Sequence, residues 1–166
     1  EDQSTITVES SDGDEGTYTF DVGGISSGVE DVIVKGNGNE ITSGQTTTST
    51  ADSTDFGNVD ITTGTETNTY WIINEGTDTL DVNSVTSNDP NFIITDPTLD
   101  KVAPGDSVSF TVTFDPDELG EDQSTITVES SDGDEGTYTF DVGGISSGVE
   151  DVIVKGNGNE ITSGQT

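Results

Sequence analysis

The sequence predicts an all-β protein, and three observations lead to that prediction. Apolar and polar residues alternate with a period of two in several short segments, as in strands with one buried face. Turn-forming Gly, Asn, Asp and Pro lie between these segments, and residues 1–46 recur letter for letter as residues 121–166. About seven short strands in about 115 residues are typical of a sandwich. We therefore predict an immunoglobulin-like antiparallel β-sandwich, arranged as a tandem repeat with a 120-residue period.

The first predicted element is a β-hairpin. Its apolar residues alternate with Thr and Asp on either side of the turn sequence SSDGDEG, and they are Ile6, Val8, Tyr18, Phe20 and Val22. The second copy of this hairpin begins 120 residues later, so two identical hairpins compete for one place in a single complete sandwich. The copy that is left out exposes its apolar face, and we expect it to seek another module.

The remaining predicted strands follow in chain order. They are residues 32–34, 56–61, 67–73, 80–85, 92–94 and 108–114, the last of which has the cleanest alternation. The Ser- and Thr-rich segment 46–54 lacks an apolar anchor, which predicts a loop or linker. Nothing in the chain has helical periodicity.

The charge balance excludes several classes of function. The chain has 34 acidic residues, 3 Lys and no His or Cys, so its formal charge is -31. Such a surface repels nucleic acid and anionic lipid, and no apolar run reaches the roughly 20 residues that membrane insertion by a helix requires. Without Cys or His there is no disulfide, no Cys/His zinc site and no His-activated nucleophile. A glycosidase carboxylate pair is also a poor interpretation, because the acids are spread over the whole chain.

Two acidic groups are candidate calcium (Ca2+) ligands. Asp12 and Asp14 lie in the turn of the first hairpin, and Asp52 and Asp55 lie near the start of the module, just before predicted strand 56–61. Carboxylate oxygens are the ligands that calcium prefers, but the EF-hand spacing is absent. A solvated hairpin turn is the favoured interpretation of the first group, and calcium ligation is the alternative. No other cofactor is predicted.

Two further motifs have simpler explanations than catalysis. Residues 24–28 and 144–148 match G-x-S-x-G, but a nucleophile elbow needs a strand-to-helix turn and a His base. We predict a flexible Gly- and Ser-rich joint between modules instead. Lys35 could join an Asn in an isopeptide bond, although a surface lysine next to the Gly-Asn-Gly turn is the simpler interpretation.

Several segments in a fixed order resemble the choice-of-anchor D type of bacterial surface repeat. They read VEDVIVKGNGNEI from residue 29, STDFGNV from 53, INEGTDTL from 73, VAPGDSVSFTVTFDP from 102 and YTFDVGG from 138. Such repeats are similar to Hydin-type and major-sperm-protein-like immunoglobulin folds. The resemblance implies tandem, exported, non-catalytic modules. It also implies boundaries: residues 1–25 are the C-terminal hairpin of a preceding repeat, 26–145 a complete module and 146–166 the N-terminal part of the next.

The same resemblance orients the strand that contains Trp71. The resembling modules place core residues at the positions of Tyr70 and Ile72, so alternation turns Trp71 and Ile73 outward. An outward Trp and Ile form the kind of apolar patch that marks an interface. The alternative is that segment 46–54 or a neighbouring strand covers them.

Together these observations predict a structural function. We expect a non-catalytic repeat of a long extracellular, cell-surface or matrix protein that forms a rod or fibre, with strand exchange between modules. Its expected partners are neighbouring copies of the same repeat, in tandem or in trans. The alternative is an adhesin repeat that binds a glycan or protein ligand.

Overall fold

The computed structural model describes residues 2–11, 13–14, 16–24, 28–95, 101–148, 154–157 and 159–161. Within these residues the regular structure consists of strands alone, and no helix long and apolar enough to cross a membrane occurs there. The all-β prediction is therefore confirmed.

The strands follow one another with short turns. In the described residues they are β1 (Asp2–Glu9), β2 (Thr17–Gly24), β3 (Val32–Gly36), β4 (Asn39–Ile41), β5 (Asp55–Asp60), β6 (Glu66–Asn74), β7 (Leu80–Ser87), β8 (Phe92–Thr95), β9 (Lys101–Val102), β10 (Ser107–Phe114), β11 (Gly120–Ser130), β12 (Thr137–Ser147), β13 (Val154–Gly156) and β14 (Asn159–Ile161).

Two five-stranded sheets form the sandwich. One has the order β4-β3-β6-β10-β8 and the other the order β5-β12-β11-β7-β9. Their paired strands are antiparallel except β5 and β12, which are parallel, so the prediction of a wholly antiparallel sandwich is wrong at that edge. The cause is the connection of residues 42–54, which carries the chain from an edge of the first sheet to an edge of the second.

Aromatic residues from both sheets fill the core. Tyr70 stacks on Phe110 with ring centroids 5.4 Å apart, and it meets Phe140 of the opposite sheet at 5.5 Å. A second group has Phe92 stacked on Phe114 at 4.7 Å. The contact between Tyr70 and Phe140 crosses between the sheets, whereas the two stacked pairs lie within the first sheet. All of these rings add to the buried apolar area that holds the two sheets together.

Some strand limits differ from the prediction. Strands β4 and β9 were not predicted, because each contributes a single large apolar residue to the core, Ile41 and Val102 respectively. Strand β5 ends at Asp60, so Ile61 lies in the following turn rather than in the predicted strand. Gly57 has φ of 69° and lies in β5. It interrupts the regular alternation along that strand.

The two copies of the hairpin have the same internal structure and different surroundings. Ile6 pairs with Phe20 in β1–β2, and Ile126 pairs with Phe140 in the identical register of β11–β12. Strands β11 and β12 lie inside the second sheet, whereas β1 and β2 form a separate two-stranded sheet. Phe140 is consequently 1% exposed and Phe20 43%. The prediction that one copy is left out with its apolar face exposed describes β1–β2.

The two copies provide a matched pair of substitutions. Phe140→Ala should lower the free energy of unfolding by about 3–5 kcal/mol, because it removes a buried aromatic ring from the core. Phe20→Ala changes the same local sequence outside the sandwich and should alter that free energy by less than about 0.5 kcal/mol. Urea denaturation followed by circular dichroism measures both. Equal losses for the two variants would show that the N-terminal copy occupies the sandwich as often as the other.

Candidate functional site

Segment 46–54 is an ordered loop and not a linker, because its polar side chains make hydrogen bonds around the buried Asp52. The buried Asp52 accepts hydrogen bonds at Oδ1 from the Thr54 backbone N–H at 3.1 Å and hydroxyl at 2.7 Å. Its Oδ2 accepts from Nε2 of Gln45 at 3.0 Å. The Tyr70 hydroxyl donates to the Ser53 carbonyl at 2.6 Å. Burial, with the nearby Asp52 charge second, raises the pKa of Tyr70 above its usual range.

The candidate calcium ligands do not come together in the described residues. Both oxygens of Asp52 accept hydrogen bonds, and Oδ1 of Asp55 accepts the Gly57 N–H at 2.8 Å. Asp14 is exposed on the N-terminal hairpin, and Asp12 lies outside the described residues. Across the described part of the chain, no group of three or more acidic side chains is placed to hold a metal ion. Calcium binding stays a prediction.

In the second copy of the acidic turn, Gly133 and Asp134 are exposed as expected of a solvated turn, whereas Asp132 is a buried structural clamp. Asp132 is buried, and its Oδ2 accepts the Val32 N–H at 2.8 Å across 100 residues of sequence. Its Oδ1 accepts the N–H groups of Asp134 and Glu135 at 3.2 and 3.3 Å. Burial alone would raise the pKa of Asp132, but these hydrogen bonds outweigh it and lower the pKa.

Ser131 extends the clamp to the start of the module. Its hydroxyl donates to Oε1 of Glu30 at 2.8 Å and accepts the Asp81 N–H at 2.8 Å. The turn between β11 and β12 is therefore tied both to β7 and to the chain just before β3. Sequence reasoning missed this role, because a contact over 100 residues leaves no local pattern.

The G-x-S-x-G segment at residues 144–148 lies within and just after β12. Ser146 is buried, and its hydroxyl donates to the Glu118 carbonyl and accepts the Gly120 N–H at 2.9 Å. The backbone of Ser147 accepts the Ile61 N–H at 2.9 Å. The prediction of a flexible joint is wrong for these two serines. The first copy, Ser26, lies outside the described residues.

Trp71 and Ile73 lie on the outer face of the first sheet. Trp71 is 45% exposed, with Lys35 and Ser109 as its cross-strand neighbours, and Ile73 lies beside Ile33. We call Ile33, Lys35, Trp71 and Ile73 the Trp71 face. Segment 46–54 contacts Tyr70, whose side chain points into the core, and Trp71 itself stays exposed. Nζ of Lys35 lies 3.9 Å from Oε1 of Glu75, as expected of a surface lysine.

Two further features are exposed. The apolar face of β1–β2 has all five of its predicted residues exposed: Ile6, Val8, Tyr18, Phe20 and Val22. A shallow groove of about 330 Å³ lies on the outer side of β12, with Asp55, Glu121, Gln123 and Ile145 among its lining residues. Its lining includes no aromatic residue of the kind that stacks on sugars.

The chain belongs to the HYDIN/CFA65/VesB-like Ig-like domain family, whose model matches residues 47–143, more than half of the chain. The immunoglobulin-like fold is thereby confirmed. Comparison with curated protein sequences gives no significant match.

Several solved structures are similar to the chain at low sequence identity. A protein of unknown function from Porphyromonas gingivalis W83 has a TM-score of 0.53 and 15% identity, over 87% of this chain and 66% of that one. The VesB protease of Vibrio cholerae has a TM-score of 0.42 and 18% identity, over 55% and 30%. The ASH/PapD-like domain 7 of human CEP192 has a TM-score of 0.41 and 16% identity, over 56% and 82%. The chain thus spans less than two thirds of the first two proteins.

The Asp132 clamp predicts a pH-dependent stability. Asp132→Asn replaces one acceptor oxygen by a donor that faces backbone N–H groups, and should cost about 1–3 kcal/mol at pH 7. Because the folded pKa lies below the usual 3.8, the contribution of this carboxylate is complete above that pH and is lost as the pH falls through the folded pKa. Thermal melts from pH 7 to pH 2 measure the difference between wild type and variant.

That difference should narrow below about pH 4 as the carboxylate becomes protonated. Glu66→Gln, at an exposed position at the start of β6, is the control for removing one charge. A loss for Asp132→Asn no larger than for Glu66→Gln would show that the buried hydrogen bonds contribute nothing.

Proposed function

We propose that the chain is part of a tandem array of non-catalytic structural modules, of the choice-of-anchor D type, in a long extracellular surface or matrix protein. The observation that carries this proposal is the exact recurrence of residues 1–46 at 121–166, in phase with the sandwich. The described strands β1–β2 and β13–β14 have the registers of β11–β12 and β3–β4. An array supplies each of these partial hairpins with its own module. Extracellular location rests on the resemblance alone.

Strand exchange between molecules is the second part of the proposal. The β1–β2 hairpin presents the same apolar side chains in the same register as the hairpin that closes the sandwich. Burying such a side chain gains about 1.5–3 kcal/mol, so an unpaired hairpin has a strong tendency to enter a vacant sandwich. Within one chain, β11 follows β10 after residues 115–119, and this short connection gives the local copy a large advantage in effective concentration.

Strand exchange should therefore produce associated chains only where a hairpin lacks its own module. We expect the 166-residue chain to form dimers or larger species at high concentration, and a chain lacking residues 1–25 to be monomeric. Light scattering on a size-exclusion column measures both masses. As a control that keeps the length, Val8→Asp and Phe20→Asp together should abolish association. Two strictly monomeric chains at high concentration would exclude exchange.

The alternative function is an adhesin repeat that binds a glycan or protein ligand. The Trp71 face is the observation that favours it, because an exposed Trp that shares a sheet face with Ile33 and Ile73 is a common kind of anchor at interfaces. Under the structural proposal, the same face contacts other copies of the module.

Trp71→Thr separates these two functions. It should change the free energy of unfolding by less than about 0.5 kcal/mol, because the indole is about half exposed and Thr suits a strand surface. Sedimentation of the wild type and variant should show weaker association of copies if the face joins modules. Ile93→Thr, at another exposed position on the same sheet, is the control. Unchanged association with loss of binding to a glycan or protein panel would favour the adhesin, and a large loss of stability would show that Trp71 is part of the core.

A further inference from the structure

The chain leaves one module and enters the next with a single residue between two fixed points. On the outgoing side, the backbone is held as far as Ser147, whose carbonyl accepts the Ile61 N–H at 2.9 Å and whose hydroxyl donates to Oδ1 of Asn58 at 2.7 Å. Strand β12 pairs with β5 up to this residue. The polypeptide is therefore part of the sandwich until one residue before Gly148.

The incoming side is described at the equivalent position 120 residues earlier. Val29 donates its N–H to Oγ1 of Thr77 at 3.1 Å and accepts the Thr77 N–H at 2.7 Å. The carbonyl of Asp31 then accepts the Glu75 N–H at 2.8 Å. Val29 is the repeat equivalent of the residue after Gly148, so in a tandem array the next module would hold the chain from that residue onward.

The two copies of the glycine between these points lie close to opposite ends of a module. A Cβ atom added to Gly148 would lie 3.1 Å from Cγ2 of Ile61 and 3.4 Å from Cδ2 of Leu119, on the outgoing side. A Cβ atom added to Gly28, the same repeat position, would lie 2.6 Å from Cβ of Asp78 on the incoming side. A single glycine between the two held residues limits the distance between the modules, since two successive residues span about 7 Å at most.

We propose that consecutive repeats meet in a rigid joint, in which this glycine lies between Ile61 and Leu119 of one module and the loop of Thr77 and Asp78 of the next. The partner is thus the following copy of the repeat. The exposed apolar residues at the two ends fit such a contact, because Leu119 is 60% exposed at the outgoing end and Val29 is 62% exposed at the incoming end. Joining the ends removes both from water. The joint rests on the proposed tandem array and makes it a stiff rod.

A chain with two complete modules tests the joint, made by appending residues 47–166 once more after Thr166. The protein has no cysteine, so Thr69→Cys and the same change at the equivalent threonine of the appended repeat accept two spin labels. Pulsed electron spin resonance then gives the distribution of distances between modules. A second pair of spin labels, at Thr69 and Glu121 of one module, gives the width of the distance distribution that comes from the labels alone.

We expect a single peak in the distribution of distances between modules. Its width should be close to that of the distribution for the label pair within one module. Gly148→Ala should broaden it at least twofold, because the methyl group meets both ends, and inserting Ser-Gly after Ser147 should broaden it further. Gly133→Ala is the matched control, since a Cβ there has no atom within 4 Å, and it should leave the width unchanged. Leu119→Asp should broaden the distribution while leaving the melting midpoint of the 166-residue chain within about one degree.

A broad distribution in the unsubstituted chain, or one that none of the joint variants changes, overturns the rigid joint. The tandem array itself is tested separately by electron micrographs of the two-module chain and of the longer parent protein. Threads with freely variable bends between beads would keep the array and reject the joint. Modules that do not fold in tandem at all would reject the array.

Discussion

The closure of the core by the β11–β12 hairpin is the interaction on which the rest of the structure depends. The hairpin lies between β5 and β7 and supplies Ile126, Val128, Tyr138, Phe140 and Val142 to the buried cluster. Its turn also holds the start of the module through Asp132 and Ser131. Because the hairpin keeps the same register outside the sandwich, its local sequence is sufficient to specify its shape, whereas its stability in β11–β12 comes from burial. In this chain the copy that completes the module is β11–β12, while β1–β2 stays a separate two-stranded sheet.

The acidic composition has two separate roles. Most carboxylates in the described part of the chain are exposed, and the negative surface opposes association of like faces except where apolar residues meet. Asp52 and Asp132 are instead buried acceptors, each of which organises a loop. Because each accepts several N–H or hydroxyl groups, its burial leaves no unsatisfied charge, and a fold with few cations can use carboxylates inside without ion pairs.

The strands were largely predictable from the sequence, and the contacts between distant segments were not. Residues 108–114 alternate without a break, so β10 and its buried face follow from periodicity alone. The bulge at Gly57, the parallel pairing of β5 and the short strand at Ile41 depend on neighbours far along the chain. The same holds for the buried carboxylates, because burial of an Asp depends on donors that the fold brings to it. The outward position of Trp71 followed from the alternation once the resemblance had indicated which face is core.

Hydrogen exchange read by mass spectrometry tests the central claim, that one hairpin copy closes the sandwich and the other does not. Peptides from residues 5–22 and 125–142 have identical sequences and masses, so both copies appear in one isotope envelope. We predict two peaks of equal area at intermediate times, one slow from β11–β12 and one fast from β1–β2, whose amides open without unfolding the core. A single envelope that moves uniformly would contradict the account, because both copies would then share the same protection.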